Sequence, residues 1–170
     1  MRIGVVSDTH SRYQTVARVV KLLGDQQVDL VLHCGDIEDA ETVRLFGALN
    51  GSADQHKVAT HFVFGNCDTE RDELLQSIHE CGCVLHEPFG DLELDGRKLA
   101  WTHGDAPRLL QDLERSGHFD FIFYGHSHRA EQHRQGPSLI VNPGALHRAR
   151  VKTFVVLDLD TSRLESIVVA

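Results

Sequence analysis

"RIGVVSDTHSRYQTVARVVKLLGDQQVDLVLHCGD", residues Arg2 to Asp36, sets a helical segment between two short β-branched runs, and this alternation decides the fold class. Arg2 to Asp8 reads as a strand that ends in polar residues. Tyr13 to Leu23 places Val16, Val19, Val20 and Leu23 at helical spacing, and Gly24 supplies the stop. Val28 to Asp36 reads as a second, buried strand. Strand, helix and strand in this order argue for an α/β domain.

Working outward, a helix is expected over about Asp39 to Leu49, a strand over Lys57 to Asn66, and a helix over Glu70 to Gly82 with acidic residues in its first turn, where the helix dipole favours them. Asp95-Gly96 between two alternating runs is a hairpin signal. Ala106 to Ser116 reads as a helix with Pro107 in its first turn, and Phe119 to Gly125 as a buried strand. The remainder reads as strands joined by Gly-Pro, Asn-Pro-Gly and Asp-Thr-Ser turns. No linker, repeat or low-complexity stretch separates the halves, so a single α/β domain over residues 1–170 is expected, with two layers of sheet and helices outside.

At 170 residues the chain can bury roughly 70% of its unfolded surface without a staple. The net charge of -8 argues against a nucleic-acid surface but not against a phosphate substrate, because bound cations can supply local positive charge. Twelve histidines are the compositional oddity. Cys34, Cys67, Cys81 and Cys83 with no secretory leader pattern point to free thiols in a reduced, cytoplasmic setting. The Cys81-Gly82-Cys83 spacing lacks the second pair that a structural zinc site requires. No apolar stretch approaches the ~20 residues of a membrane helix, and a homo-oligomer is left open.

Five expected strands end in ligand-type residues: Asp8-Thr9-His10, Gly35-Asp36, Gly65-Asn66-Cys67-Asp68, His103-Gly104-Asp105 and Gly125-His126-Ser127-His128. In α/β sheets, sites form where loops converge outside the carboxyl ends of the strands. Carboxylates, an amide oxygen and imidazoles suit ions of the Mn, Fe, Zn or Ni type. Asp8, His10, Asp36, Asn66, His103, His126 and His128 are too many donors for one tetrahedral ion, so two are expected. Read singly, Asp8 and Asp36 could instead be helix caps, Asn66 a turn residue and each histidine a surface or core residue.

"SDTH", "HCGDI", "GNCD", "THGD" and "GHSH", in this order, resemble the metal-binding motifs of calcineurin-like metallophosphoesterases, and "NPGA" is similar to the small phosphodiesterase branch of that superfamily. The resemblance runs from Arg2 to about Arg150. It implies a four-layer αββα sandwich and two divalent ions per chain, manganese first, with iron, zinc or nickel as alternatives. One ion would be held by Asp8, His10, Asp36 and His128, and the second by Asp36 as bridge, Asn66, His103 and His126. A metal-bridging hydroxide held by Asp36 would attack a small phosphoester, most simply a phosphodiester. Asn66 and Arg12 are candidates for contacting the substrate, with Arg129, Arg148 and Arg150 also near motif loops. Many relatives carry a histidine directly after the asparagine; Cys67 stands there in this chain, so leaving-group protonation is in doubt and good leaving groups are favoured. Cys67 and Asp68 have minor roles at most, and Asp68 could equally cap the following helix.

Two other readings stand beside this one: a non-catalytic scaffold on the same fold, and a metal-dependent hydrolase of a non-phosphate bond. The complete donor set argues against the scaffold. His33 and His61 fall inside strands as core or supporting residues, and Asn142-Pro143-Gly144 is first of all a tight connection.

Overall fold

The computed structural model describes residues 1–51 and 57–170, so His56, to which the sequence assigns no role, lies outside the described residues. β1 (Arg2–Val6), α1 (Tyr13–Asp25), β2 (Leu30–His33), α2 (Ala40–Gly47), β3 (Ala59–Val63), α3 (Arg71–Glu80) and β4 (Val84–His86) form the alternating half. β5 (Gly90–Leu94), β6 (Arg97–Trp101), α4 (Pro107–Ser116), β7 (Phe121–Phe123), β8 (Glu131–Gln135), β9 (Ser138–Asn142), β10 (Thr153–Asp158) and β11 (Arg163–Val168) follow. One sheet has the order β11-β10-β1-β2-β3-β4 and the other β5-β6-β7-β9-β8. Strands β1 to β4 run parallel, and so do β6, β7 and β9.

Side-chain alternation along the strands makes the layers. Ile3, Val5, Leu30, Leu32 and Val63 from the first sheet meet Leu99, Trp101, Phe121, Phe123 and Val141 from the second. The residues between them, Val6, Val31, Phe62, Phe154 and Val156, face the other way and are covered by Val16, Val19 and Leu23 of α1, Val43 and Phe46 of α2, and Leu74 and Ile78 of α3. On the far side α4 sets Leu109, Leu110 and Leu113 on Ala100, Ile122 and Ile140. The result is the expected αββα sandwich. No helix among the described residues is long and apolar enough to cross a membrane, and all four cysteines are free.

The Asp95-Gly96 hairpin forms with both residues at positive φ, 49° and 73°, the requirement of a two-residue primed turn. Several bounds differ from the sequence reading, with β2, β3 and β7 each shorter than the runs expected to form them. β4 is only three residues long at a sheet edge and gives too short a run to show as a period. β1 stops at Val6, because Asp8 turns to φ 54° and leaves the ladder.

Between the sheets, His61 of β3 and His86 of β4 share one hydrogen between Nδ1 and Nε2 at 3.0 Å, and the His86 ring meets Trp101 edge-on at 4.7 Å. Burial, then the neighbouring His86, pushes His61 down to about 4, and burial also lowers His86 against the pull of Asp91. An unfolded imidazole takes its proton near pH 6.5. Between there and about pH 4 the unfolded chain therefore binds more protons than the native pair, and stability falls as pH falls. His61→Gln should flatten this decline, seen as a smaller drop in urea midpoint between pH 7.5 and pH 5 than in the wild type; parallel declines would contradict it.

Candidate metal centre

The loops after β1, β2, β3, β6 and β7 carry the seven donors. Five of them lie in the left-handed region: Asp8 at φ 54°, His10 at 45°, Asp36 at 55°, His126 at 65° and His128 at 56°. Each such non-glycine residue costs about 1–2 kcal/mol, a strain that persists only where surrounding structure over-determines it. Neither Asp8 nor Asp36 offsets its strain by capping a helix: α1 has no side-chain cap, and α2 is capped by Asp39 on the Thr42 amide.

The surrounding structure is a lattice of bonds between loops. Asp8 N–H donates to Gly35 O at 3.1 Å and His10 N–H to Asp36 O at 3.1 Å, tying the first two loops together. Asn142 donates its amide to Gly125 O at 2.8 Å and to Ser127 Oγ at 3.0 Å, so the Asn-Pro-Gly turn grips the loop of His126 and His128, and Ser127 serves as an acceptor. His33 is buried among Phe46 and Phe62, and burial pushes it down to about 3. Its Nδ1 accepts from Gly35 N–H, leaving Nε2–H to donate to Thr9 Oγ1, which in turn donates to Asp36 O. Two glycines leave space that no other residue would: a Cβ at Gly65 would lie 2.2 Å from Asp36 Oδ1, and one at Gly125 1.9 Å from Ser7 Oγ.

Held this way, Asp8, His10, Asp36 and His128 bring one donor atom each to within 4.8 Å of one another. His128 Nε2 lies 3.1 Å from Asp8 Oδ1, His10 Nε2 lies 3.5 Å from Asp36 Oδ2, and the two Nε2 atoms are 3.3 Å apart. Glu38 Oε1 takes the Nδ1–H of His10 at 2.7 Å, which leaves the His10 Nε2 lone pair facing the cluster. Asp8 Oδ1 is buried and receives no hydrogen bond. Burial pushes the Asp8 carboxyl up, while Ser7, His103 and His128 pull it down. A buried carboxylate oxygen without a donor, among convergent imidazole lone pairs, is the environment a divalent cation satisfies.

The other donors gather on the opposite side of Asp36. His103 Nε2 lies 3.4 Å from Asp36 Oδ1 and 3.1 Å from Asn66 Oδ1, and its Nδ1 donates to Cys34 O at 2.8 Å, again aiming Nε2 at the site. The exposed His126 sets its ring 5.1 Å from that of His103. Asp36 thus turns Oδ2 toward His10 and Oδ1 toward His103.

The calcineurin-like phosphoesterase superfamily domain matches residues 1–162. The chain belongs to this family. Phosphodiesterase MJ0936 of Methanocaldococcus jannaschii is 30% identical over 173 residues, covering 99% of each chain. Phosphodiesterase YfcE of Escherichia coli is 27% identical over 158 residues, covering 86% of this chain and 79% of the relative. The solved structure of an archaeal phosphodiesterase superposes with a TM-score of 0.88 at 27% identity over 99% of both chains.

In this metallophosphoesterase the remaining candidates have definite surroundings. Cys67 donates its N–H to Asp36 Oδ1 at 2.9 Å, and its thiol is pushed up to about 11 by burial and by the Asp36 charge. Asp68 is buried and does not cap α3, which has no side-chain cap; it holds the loop of Asp36 instead, accepting from the amides of Asp36, Ile37, Glu38 and Gly65. Arg12 is exposed and bonded to His147. Glu38 was not legible as a supporting residue: its only signal is a place two residues after Asp36. Glu38→Ala should weaken Mn²⁺ binding by about 10-fold, the lower end of what loss of a ligand's orienting partner costs. Calorimetry with Mn²⁺ measures it, and unchanged affinity would count against the orienting role.

Proposed function

We propose that this chain is a divalent-metal-dependent phosphodiesterase with a dinuclear centre, folded as one catalytic domain over residues 1–170 and working in the reducing cytoplasm. One ion would be held by Asp8, His10, Asp36 and His128, and the other by Asp36, Asn66, His103 and His126. The observation that carries the reading is Asp36, whose two oxygens face two separate sets of donors, 3.5 Å from His10 Nε2 and 3.4 Å from His103 Nε2. Two divalent ions bound there, Mn²⁺ or alternatively Fe, Zn or Ni, would supply an activated hydroxide and neutralise charge on the phosphoryl oxygens.

The protein's own groups set the rest. Glu38 and the Cys34 carbonyl fix the tautomers of His10 and His103, and the four amides on Asp68 hold the Asp36 backbone in place. Asn66 and Arg12, both exposed at the rim, would contact the substrate. With Cys67 rather than a histidine following Asn66, esters of good leaving groups would be the better substrates.

The test is removal and return of metal. Chelated protein should not hydrolyse bis(4-nitrophenyl) phosphate, and Mn²⁺ should restore turnover with about two ions bound per chain. Absence of both turnover and metal uptake across Mn²⁺, Fe²⁺, Zn²⁺ and Ni²⁺ would favour a scaffold, and turnover of carboxylic esters alone would favour another hydrolase.

A further inference from the structure

The loop after β9 delivers His147 to the His10 side of the centre, with the two rings 5.2 Å apart. Arg12 Nε–H donates to His147 Nδ1 at 3.1 Å. A ring that accepts on Nδ1 is neutral and carries its hydrogen on Nε2, so the Arg12 amine nitrogen 3.3 Å from Nε2 is a contact between two donors. The imidazole therefore occupies one of the five N–H groups of Arg12 and cancels none of its charge. Arg148 is the next residue, exposed, and held in a left-handed conformation at φ 50°. Burial, then the neighbouring Arg12 and Arg148 charges, push the His147 imidazole down, opposed by Glu38, which is committed to His10.

Arg44, Arg71 and Arg97 each pair with a carboxylate, at 3.3, 3.1 and 3.1 Å. Among the described residues Arg12 and Arg148 have no carboxylate partner, in a chain of 17 basic and 25 acidic residues. One guanidinium bonded to a neutral spacer and a second on the adjoining exposed residue, at the rim of a site for an anion, would supply the positive charge and forked donors that a phosphate dianion takes.

We propose that Arg12 and Arg148, spaced by His147, form a subsite for a second phosphate group, so that the preferred substrates are phosphodiesters carrying a further terminal phosphate. The subsite rests on the phosphodiesterase reading, because it places the scissile diester over the seven donors and the second phosphate beside His147. Its contribution is binding that is equal in ground and transition states, which appears in KM more than in kcat.

The experiment compares the 4-nitrophenyl ester of thymidine 5′-phosphate with the same ester bearing a 3′-phosphate, using the Mn²⁺-loaded protein. Wild type should favour the 3′-phosphorylated ester in kcat/KM by about 10-fold or more, and Arg148→Gln or Arg12→Gln should remove most of that preference by raising KM. Calorimetry with thymidine 3′,5′-bisphosphate and thymidine 5′-phosphate supplies a readout independent of turnover: the bisphosphate should bind wild type more tightly, and the difference should vanish in Arg148→Gln. Equal kcat/KM for the two esters, or a preference that survives both substitutions, overturns the subsite. If neither ester is hydrolysed the phosphodiesterase reading fails, and the calorimetric difference alone then upholds or overturns the subsite.

Discussion

Asp36→Asn is expected to lower turnover of an aryl phosphodiester by about 1000-fold or more at saturating Mn²⁺, while leaving the fold intact. The variant keeps the shape of the side chain and an oxygen able to accept the Cys67 amide, which lies 2.9 Å from Oδ1. It removes the charge that faces both His10 and His103, so neither donor set retains a shared anion. Stabilisation of transition-state charge by bound metal is worth several kcal/mol, and about 4 kcal/mol corresponds to three orders of magnitude in rate. Metal analysis should show fewer than two ions per chain in the variant, with circular dichroism unchanged. Turnover within 10-fold of wild type, at normal metal content, would remove Asp36 from the centre of the mechanism.

The residues that meet at Asp36 differ in how far they could be read from sequence. Asp8, His10, Asn66, His103, His126 and His128 stand out because each is a polar residue ending an apolar run, and the end of a parallel strand is where loops converge. The layers were legible for the same reason, since the strand and helix periods of residues such as Val5, Val6 and Val16 state which face is covered. The bonds that aim the donors leave no periodic mark. Glu38 reaches His10 across 28 positions of sequence, Asn142 reaches Gly125 across 17, and Thr9 joins His33 to the Asp36 carbonyl. The left-handed conformations of Asp8, His10 and Asp36 belong to the same class: aspartate and histidine tolerate that region, but nothing local requires it. Three-dimensional bonds between loops impose it, so the orientation of these side chains left no mark in the sequence.

Asp68→Asn is the sharpest probe of those bonds. One carboxylate oxygen accepts the amides of Ile37 and Glu38, both at 2.7 Å, and the other accepts those of Asp36 at 3.0 Å and Gly65 at 2.7 Å. An asparagine offers one oxygen and one NH₂ group, so whichever way it turns, two buried amides face a donor and lose their acceptor. Each unsatisfied buried donor costs about 1–3 kcal/mol, which places the variant about 2–6 kcal/mol below wild type in urea unfolding. The same loss frees the Asp36 and Glu38 backbones, so Mn²⁺ affinity should fall in whatever fraction remains folded. Asp36→Asn and Asp68→Asn therefore separate two functions that adjoin in space: the first should abolish turnover in a stable protein, the second should destabilise the protein and loosen the metal together. A variant at Asp68 as stable as wild type to within about 1 kcal/mol would show that the four amide bonds do not hold the loop.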